Sequence, residues 1–315
     1  MYLPYVRGKQ FDLLALKEMA SHLAANPDVL PVIEPVRLRG EALIRCIDAL
    51  SVADVRTTVV VNPSVGELVG GGGHLTAIEF LERCKYRSHL RLGVLVRAGL
   101  DAAVILNAIN RSSLASCPID LIHHEFAGAG GVANLAAPSS LHLLHEKAVA
   151  RRYRTPPLDG EMVKFEDRFP AQRTNLQYVG VPASMFTDDN IFYAEDGYAG
   201  WGDYATIGAD YSDGGSSPRA VAIHLTYLNR EDGAIWIRHF CSYSNEDTAD
   251  TPGKFGEALA ELVAFCDAAD IHNPAVDAFR SYARSGAFPG LGMVKKLSIQ
   301  NHIYVATEAM TKTLR

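Results

Sequence analysis

The run RLGVLV at residues 91–96 is apolar at almost every position, and TTVVV at 57–61 and PIDLI at 118–122 have the same character. A parallel strand that is covered on both faces is nearly continuously apolar, whereas a half-exposed strand alternates apolar and polar residues. The three runs therefore predict buried parallel strands. Further short apolar runs recur at roughly 22- to 34-residue intervals, about the length of a strand, a helix and two loops.

Strand–helix units repeat through the first half of the chain. Strands are predicted at Tyr2–Val6, Leu30–Glu34, Thr58–Asn62, Leu92–Arg97, Ile119–Glu125 and Leu141–His145. Helical spacing of apolar residues predicts helices at Gln10–Ala25, Glu41–Leu50, Thr76–Cys84 and Leu100–Asn110. Such repeats build either a doubly wound sheet or a closed barrel. Polar residues end the early strands, as at the active face of a barrel, and no GxGxxG follows the first strand. We therefore predict an α/β fold of the TIM-type (β/α) barrel class.

The second half of the chain is predicted to be less regular. An aromatic and glycine-rich loop is expected near residues 193–211, followed by a β-hairpin over 220–240 and helices over 255–268 and 275–285. No internal linker is long enough to demand two independently folded domains. We predict one domain over residues 1–315, with regular repeats in 1–146 and the irregular half in 147–315.

Composition restricts the classes of partner. The 30 Lys and Arg residues against 36 Asp and Glu give a formal net charge of −6, which disfavours binding to bulk duplex DNA. No apolar run reaches about 18 residues, so no membrane association is expected. The five cysteines are widely spaced and form no CxxC. Reduced thiols in a cytoplasmic protein are the expectation.

Several motifs together carry a family resemblance. They are the opening YxPYxRGKQxxLLAL, PVIEP at Pro31–Pro35, NPxxGE at Asn62–Glu67, WGDYATIG at Trp201–Gly208, IHLTY at 223–227 and GKFxEAL at Gly253–Leu259. Over nearly the whole chain they resemble the bacterial and phage "beta protein" family and its close relatives. The resemblance implies a TIM-type barrel and a role in phage defence or on mobile elements. It carries no catalytic residue over to this chain.

The densest group of chemically active residues is Asp120-Leu-Ile-His123-His124-Glu125, at the end of the fifth predicted strand. Alternation along a strand predicts that His123 and Glu125 point into the barrel and His124 points away. An inward histidine and carboxylate can act as acid and base or bind a metal. The alternative is a structural hydrogen-bond network.

Three further residues are candidates for chemistry in the second half. Asp203, beside Tyr204 in WGDYATIG, is predicted to lie in a binding loop, with an aromatic plug as the alternative. His224 and His239 fall on the two hairpin strands and are predicted to meet across the strand pair. With Glu125, these two histidines would suit a divalent metal. No HExxH, GxSxG or P-loop supports this set.

Polar residues at strand ends and at one helix start are predicted to bind substrate or phosphate. They are Arg7, Lys9, Glu34, Asn62, Arg97, Lys164, Tyr204 and Lys254. Lys164 lies in a predicted seventh strand, where a solvated strand end with ion pairs is the alternative. Lys254 begins a late helix, whose free N–H groups can hold an anion, with an exposed surface lysine as the alternative.

These features predict a barrel protein that acts in phage defence or a mobile-element context. It is expected to bind or hydrolyse a phosphate-bearing substrate, either a nucleotide or a nucleic acid. As an enzyme it would be an acid–base or metal-assisted hydrolase, with a divalent metal as the cofactor. The alternative is a non-catalytic sensor, or a protein that docks onto a companion from the same operon. The aromatic stretch Tyr193–Tyr211 would then be the interface.

Overall fold

The computed structural model describes residues 1–125, 132–145, 159–213 and 218–313. These residues fall into two compact units. The barrel unit contains Met1–Asp167 and Phe192–Tyr204, and the sheet unit contains Arg168–Ile191 and Ala205–Arg315. The chain therefore passes from one unit to the other three times. The single domain expected over residues 1–315 stays a prediction.

Eleven strands occur in the described residues. They are β1 (Tyr2–Arg7), β2 (Val32–Glu34), β3 (Thr57–Val60), β4 (Leu90–Val96), β5 (Ile119–His123), β6 (Leu141–His145), β7 (Glu161–Glu166), β8 (Ser184–Thr187), β9 (Gly200–Asp203), β10 (Ala222–Leu228) and β11 (Ile235–Cys241). Eight of them close a parallel barrel in the order β1-β2-β3-β4-β5-β6-β7-β9, with β9 paired to β1. The predicted α/β barrel is therefore confirmed.

Helices follow the first four strands, as predicted, with shifted ends. The helices of the described residues are α1 (Gln10–Glu18), α2 (Ala20–Ala25), α3 (Glu41–Val52), α4 (Gly73–Glu82), α5 (Ala102–Asn110), α6 (Asp189–Phe192), α7 (Thr251–Ala268), α8 (Pro274–Ser285) and α9 (Leu291–Thr313). The helix predicted over Gln10–Ala25 is interrupted at Met19. Asp101 caps α5, because its carboxylate accepts hydrogen bonds from the Ala103 and Val104 amides.

The glycine-rich WGDYATIG segment overlaps the strand that closes the barrel. Gly200–Asp203 forms β9, between β7 and β1, where the sequence predicted only a loop. Close packing explains why residue 202 is a glycine, since a Cβ atom there would lie 2.6 Å from the Leu3 carbonyl oxygen and 3.1 Å from the Phe165 ring. Closure at this point therefore requires a residue without a side chain.

Replacing Gly202 with alanine is expected to destabilise the protein by about 1–3 kcal/mol, because the added methyl group has backbone on one side and a buried ring on the other. Gly256→Ala is the control, since nothing lies within 4 Å of a Cβ atom at that helical position. The control is expected to stabilise the chain by about 0.5–1 kcal/mol. Urea unfolding measures both, and wild-type stability for Gly202→Ala would contradict the close packing.

Contacts across the barrel establish which side chains point inward. Thr58 on β3 donates a hydrogen bond of 2.6 Å to Asp120 on β5, passing the intervening strand β4. Asp120 also accepts from Arg91 Nε at 2.8 Å and from the Leu141 amide at 2.9 Å, and it is fully buried. These residues lie near the amino ends of their strands. They form a satisfied polar floor, at the end of the barrel where conserved groups usually serve stability.

The sheet unit is built on the predicted hairpin. Strands β10 and β11 pair antiparallel, and β8 pairs with the other edge of β11. One face of the sheet packs its apolar residues against α7 and α8, in a cluster that includes Ile223, Leu225, Phe255, Leu262 and Phe279. Helix α9 was not predicted from the sequence. Within the described ranges, no helix is long and apolar enough to cross a membrane.

Candidate active site

Three basic side chains lie at or just beyond the carboxyl ends of three adjacent barrel strands. Val96 pairs with His123, and His123 pairs with Leu144. The next residues along the chain are Arg97, just after β4, His124, just after β5, and His145, the last residue of β6. Because side chains alternate along a strand, His124 points to the same side as the inward Asp120, four residues earlier. The alignment therefore presents Arg97, His124 and His145 together at the carboxyl end of the barrel interior.

A buried carboxylate holds a fourth basic group, Arg7, on β1. Glu34 is paired with the Arg7 guanidinium and accepts hydrogen bonds from Tyr5 Oη at 2.7 Å and from the Ser64 amide at 2.6 Å and hydroxyl at 2.8 Å. The guanidinium carbon lies 5.3 Å from the centre of the Tyr5 ring and 5.2 Å from that of Tyr204. Arg7 is thus a cation that is fixed in place before any ligand binds.

Buried aromatic rings form a layer beside these basic groups. Ring centres are 4.9 Å apart for Tyr5 and Tyr204, 5.0 Å for Phe165 and Tyr204, and 5.6 Å for Tyr5 and Phe165. Burial raises the pKa of both tyrosines above the usual value, so their hydroxyls remain protonated at neutral pH. A low-dielectric layer of this kind strengthens the electrostatic interactions of charges placed against it.

His124 has a ring nitrogen without a partner. Its Nε2 atom is buried and makes no hydrogen bond within the described part of the chain. Burial, and then the charges of His145, Arg7 and Arg97, lower the pKa of His124 to about 4. The imidazole is therefore neutral at neutral pH. A buried, unsatisfied polar atom in a native protein calls for an explanation, and a ligand is one.

His145 is placed beside a buried carboxylate. Its Nδ1 lies 3.5 Å from Glu166 Oε1, and Glu166 is almost fully buried at the end of β7. The centre of the His145 ring is 6.2 Å from that of His124 and 6.4 Å from that of Phe165. At this distance Nδ1 makes no hydrogen bond within the described residues, so the imidazole and the carboxylate lie side by side without a fixed tautomer. The two side chains are a candidate acid–base pair at the carboxyl end of the barrel.

The predicted orientation of His123 and His124 is wrong. His123 points away from the barrel interior, where its Nε2 lies 3.0 Å from Nδ1 of His142. His142 in turn bonds the Asp159 carbonyl through Nε2 at 2.9 Å. The reason is that Asp120 points inward to the polar floor. Because side chains alternate along the strand, His124 then also points inward and His123 points outward. His123 is therefore part of the outer wall and not a catalytic candidate.

Glu125 and Asn62 lie at the rim and have backbone partners. The exposed Glu125 accepts a hydrogen bond of 2.9 Å from the Ala98 amide. The Asn62 side chain bonds Leu95 twice, donating to its carbonyl at 2.9 Å and accepting from its amide at 2.8 Å. Both residues line a cleft of about 300 Å³ beside the exposed Arg97. Asn62 therefore joins the end of β3 to β4, and Arg97 is the cation of this cleft.

Asp203 and Lys164 were predicted in the site and point to the outer wall. Lys164 pairs in register with Trp201 on β9, two residues before Asp203, so all three share the face opposite to inward Phe165. Lys164 Nζ donates to Asp196 at 2.8 Å, and Asp203 accepts from Tyr2 Oη at 3.0 Å. These contacts make both residues structural. Lys9 immediately precedes α1, and its carbonyl accepts from the Leu13 amide at 3.0 Å.

His224 and His239 meet in the sheet unit, where they pair across β10 and β11 with Nδ1 atoms 2.7 Å apart. The Tyr178 ring packs on both, with centre distances of 4.7 and 4.4 Å. Burial lowers the pKa of His224 to about 3 and that of His239 to about 4. Two neutral imidazoles packed on an aromatic ring form a core pair, so the structure gives His239 no catalytic setting.

The metal and anion predictions for the second half find no support. Across residues 1–125, 132–145, 159–213 and 218–313, no group of three or more His, Cys, Asp or Glu could hold a metal ion. Glu125 belongs to the barrel unit, whereas His224 and His239 belong to the sheet unit. Lys254 is buried, and its Nζ donates to the Asp247 carbonyl at 2.7 Å. Lys254 therefore holds the segment before α7 in place, and this contact gives no support to the predicted anion binding.

Sequence reasoning missed several residues of the site. Tyr5, Ser64 and Phe165 were not considered, and His124 was assigned to the wrong face. Tyr5 had a usable signal, because it lies two residues before Arg7 and therefore shares its face. Ser64 had none, since it reaches Glu34 through a loop.

Fold and site together define a class, an α/β barrel whose carboxyl end combines basic side chains with a buried aromatic layer. No protein-family model matches the chain, and no curated protein matches it. The resemblance to the beta protein family therefore stays a prediction.

Proposed function

We propose that the carboxyl end of the barrel binds a phosphate-bearing substrate, a nucleotide or a nucleic acid. The placement of Arg97, His124 and His145 at the carboxyl ends of three adjacent strands carries this proposal. Arg7 adds a guanidinium that Glu34 holds in place, and the Glu34 carboxylate offsets its charge. Basic groups beside buried aromatic rings attract anions, and the carboxyl end is where barrel enzymes bind their substrates.

The same site supports acid–base hydrolysis. In this reaction, water attacks the phosphorus atom and the bond from phosphorus to the leaving oxygen breaks. His145, which lies beside Glu166, takes one proton from the water, and the leaving oxygen takes a proton from solvent. Arg7 and Arg97 offset the negative charge that develops on the phosphoryl oxygens. The cytoplasm is the proposed location, and phage defence or a mobile-element function is the proposed setting, from the family resemblance.

The affinity for a nucleotide tests the binding proposal. Arg97→Ala is expected to weaken ATP binding about tenfold, the cost of losing one charge-assisted contact. Isothermal titration calorimetry at low and moderate salt measures this change. Arg56→Ala is the matched control, because Arg56 is also exposed but precedes β3, at the amino end of the barrel. Equal affinity of wild type and Arg97→Ala, or no binding by either, would contradict the proposal.

A non-catalytic role with a companion protein is the second candidate. An apolar surface favours it, with Val69, Leu75 and Val104 exposed by 57%, 55% and 46% of their area. Leu75 and Val104 line a groove of about 450 Å³. The aromatic stretch predicted as an interface does not favour it, because Tyr198, Trp201 and Tyr204 are buried.

Phage challenge of cells that express the protein separates the two roles. The enzyme proposal expects His145→Gln to abolish protection and Leu75→Asp to leave it intact. The docking alternative expects the reverse pattern. Both variants are first compared with the wild type by circular dichroism, so that lost protection is read only from folded proteins.

A further inference from the structure

A row of large side chains crosses the three-stranded sheet near one end. Tyr227 on β10, Trp236 on β11 and Met185 on β8 pair in register, so their side chains share one face of the sheet. Helices α7 and α8 cover other residues of this face, but Met185 is 53% exposed and the two rings are partly exposed. Tyr, Trp and Met are enriched in protein interfaces. The row is therefore a candidate contact surface.

An exposed guanidinium completes this surface. Arg238 follows Trp236 by two residues on β11 and so points to the same face. Its guanidinium carbon lies 4.7 Å from the centre of the Phe265 ring, on α7, and 5.2 Å from that of Phe240. Stacking on these rings holds the guanidinium in place, and it makes no hydrogen bond or ion pair within the described residues. It can therefore pair with a carboxylate from outside the molecule. The Trp236 surface consists of Met185, Tyr227, Trp236, Arg238 and Phe265.

A loop beyond the other end of β11 carries groups that match this surface. Tyr243 is 76% exposed, and Glu246 is exposed with a carboxylate that has no partner in the part of the chain that the structure describes. Between them, Ser244 donates to Glu257 from its amide at 2.8 Å and from its hydroxyl at 2.5 Å. Arg219 donates to the Glu246 carbonyl. Because these bonds hold the loop, it loses little conformational freedom when it binds.

The loop and the Trp236 surface lie too far apart to meet within one molecule. Five residues of β11, about 17 Å of extended strand, separate Trp236 from Cys241, and Tyr243 lies beyond. The loop of one copy can instead contact the surface of another. Since each copy has both features, two copies related by a twofold axis make the contact twice and leave neither feature unused.

A nucleic acid suits the Trp236 surface less well than a protein does. Exposed aromatic rings on a sheet can stack on bases, but such sites also need a positively charged track for the phosphates. Here Asp232 accepts a hydrogen bond of 2.9 Å from Trp236 Nε1, which places a carboxylate beside the ring. One arginine next to a carboxylate favours a single ion pair over a chain of phosphates.

We infer that the sheet unit binds a second copy of this chain, with Tyr243 and Glu246 of each copy on the Trp236 surface of the other. The Tyr243 ring packs on the rings of Trp236 and Tyr227, and the Glu246 carboxylate pairs with Arg238. This contact goes beyond the proposed function. Its residues belong to the sheet unit, whereas those of the candidate active site belong to the barrel unit.

Sedimentation velocity across a range of protein concentrations tests the contact. The wild type is expected to form a dimer with a Kd at or below about 100 µM. Arg238→Glu and Glu246→Arg each place like charges together in both contacts, so each is expected to weaken the dimer at least about tenfold. Arg284→Glu is the matched control, because Arg284 is also exposed in the sheet unit but lies in the last turn of α8. The control is expected to dimerise like the wild type.

An equal mixture of the two single variants gives the sharpest result. In the mixed dimer one contact keeps the native pair of Arg238 and Glu246, and the other has the two charges exchanged. The mixture is therefore expected to dimerise within about threefold of the wild-type Kd, although neither variant does so alone. A mixture that stays monomeric would contradict the pairing of Arg238 with Glu246.

Three results for the wild type would overturn the proposed contact. They are a monomer up to about 500 µM, a dimer that neither charge reversal weakens, and assemblies larger than a dimer. A thymidine oligonucleotide is added to the monomeric sample as a probe of the other occupant. Quenching of Trp236 fluorescence by this probe, without self-association, would assign the surface to single-stranded nucleic acid instead.

Discussion

Replacing Asp120 with alanine is expected to lower the free energy of unfolding by about 3–5 kcal/mol, the range for removing one partner of a buried ion pair. Asp120 is fully buried in the barrel floor, where Arg91 donates to it from Nε at 2.8 Å. Without the carboxylate, the Arg91 charge loses its partner in a poorly solvated position. The Thr58 hydroxyl and the Leu141 amide lose their acceptor at the same time. Each unmet polar group adds to the cost.

Urea unfolding measures this loss, with an exposed ion pair as the control. Arg83 and Glu41 lie 3.4 Å apart with side chains 46% and 57% exposed. Glu41→Ala should therefore cost at most about 1 kcal/mol. Asp120→Asn keeps the shape and part of the hydrogen bonding, so its loss should be intermediate. A cost for Asp120→Ala no larger than that for Glu41→Ala would show that the floor is not a stabilising network.

The same aspartate explains what the sequence could and could not predict. Strands such as β4 were found because strands buried on both faces are nearly continuously apolar. The same property prevents the sequence from showing which alternate residues face the barrel interior, because both faces of the strand are apolar. In β5 the phase depends on Asp120 meeting Thr58 across the barrel, a contact that exists only after closure. His123 and His124 were therefore assigned to the wrong faces.

The closing strand was hidden for a related reason. Gly200 and Gly202 have low strand propensity, so their segment resembled a loop. They occur because the barrel needs close backbone approach there: a Cβ on Gly202 would meet the Leu3 carbonyl at 2.6 Å. The strand-end residues Arg7, Glu34 and Arg97 were named from position alone, and the structure brings them to the predicted end of the barrel. Lys164 and Asp203 failed because position at a strand end does not specify the face.

Acidification between about pH 7 and pH 5 is expected to destabilise the protein by several kcal/mol through its buried histidines. Burial lowers the pKa of His124 and His239 to about 4 and that of His224 to about 3. It also lowers the pKa of His123 and His142. An unfolded histidine titrates near about 6.5. Below that pH these histidines bind protons in the unfolded chain but not in the folded chain, so the free energy of unfolding decreases as the pH is lowered.

The slope of this fall identifies the residues responsible. Each buried histidine contributes about 1.4 kcal/mol per pH unit in the window from about 6.5 down to its folded pKa. His239→Gln removes one such group and relieves the effect that His239 has on the pKa of His224. The free energy of unfolding of the variant should therefore fall less steeply with decreasing pH than that of the wild type. The difference in slope should be at least that of one histidine, about 1.4 kcal/mol per pH unit. Urea unfolding across this pH range gives the slopes, with exposed His272→Gln as the control.

If His239→Gln kept the wild-type slope, the His224–His239 pair would not be neutral in the folded protein. The pH dependence would then have to come from other groups, because carboxylates of lowered pKa such as Asp247 and Asp270 act only at lower pH.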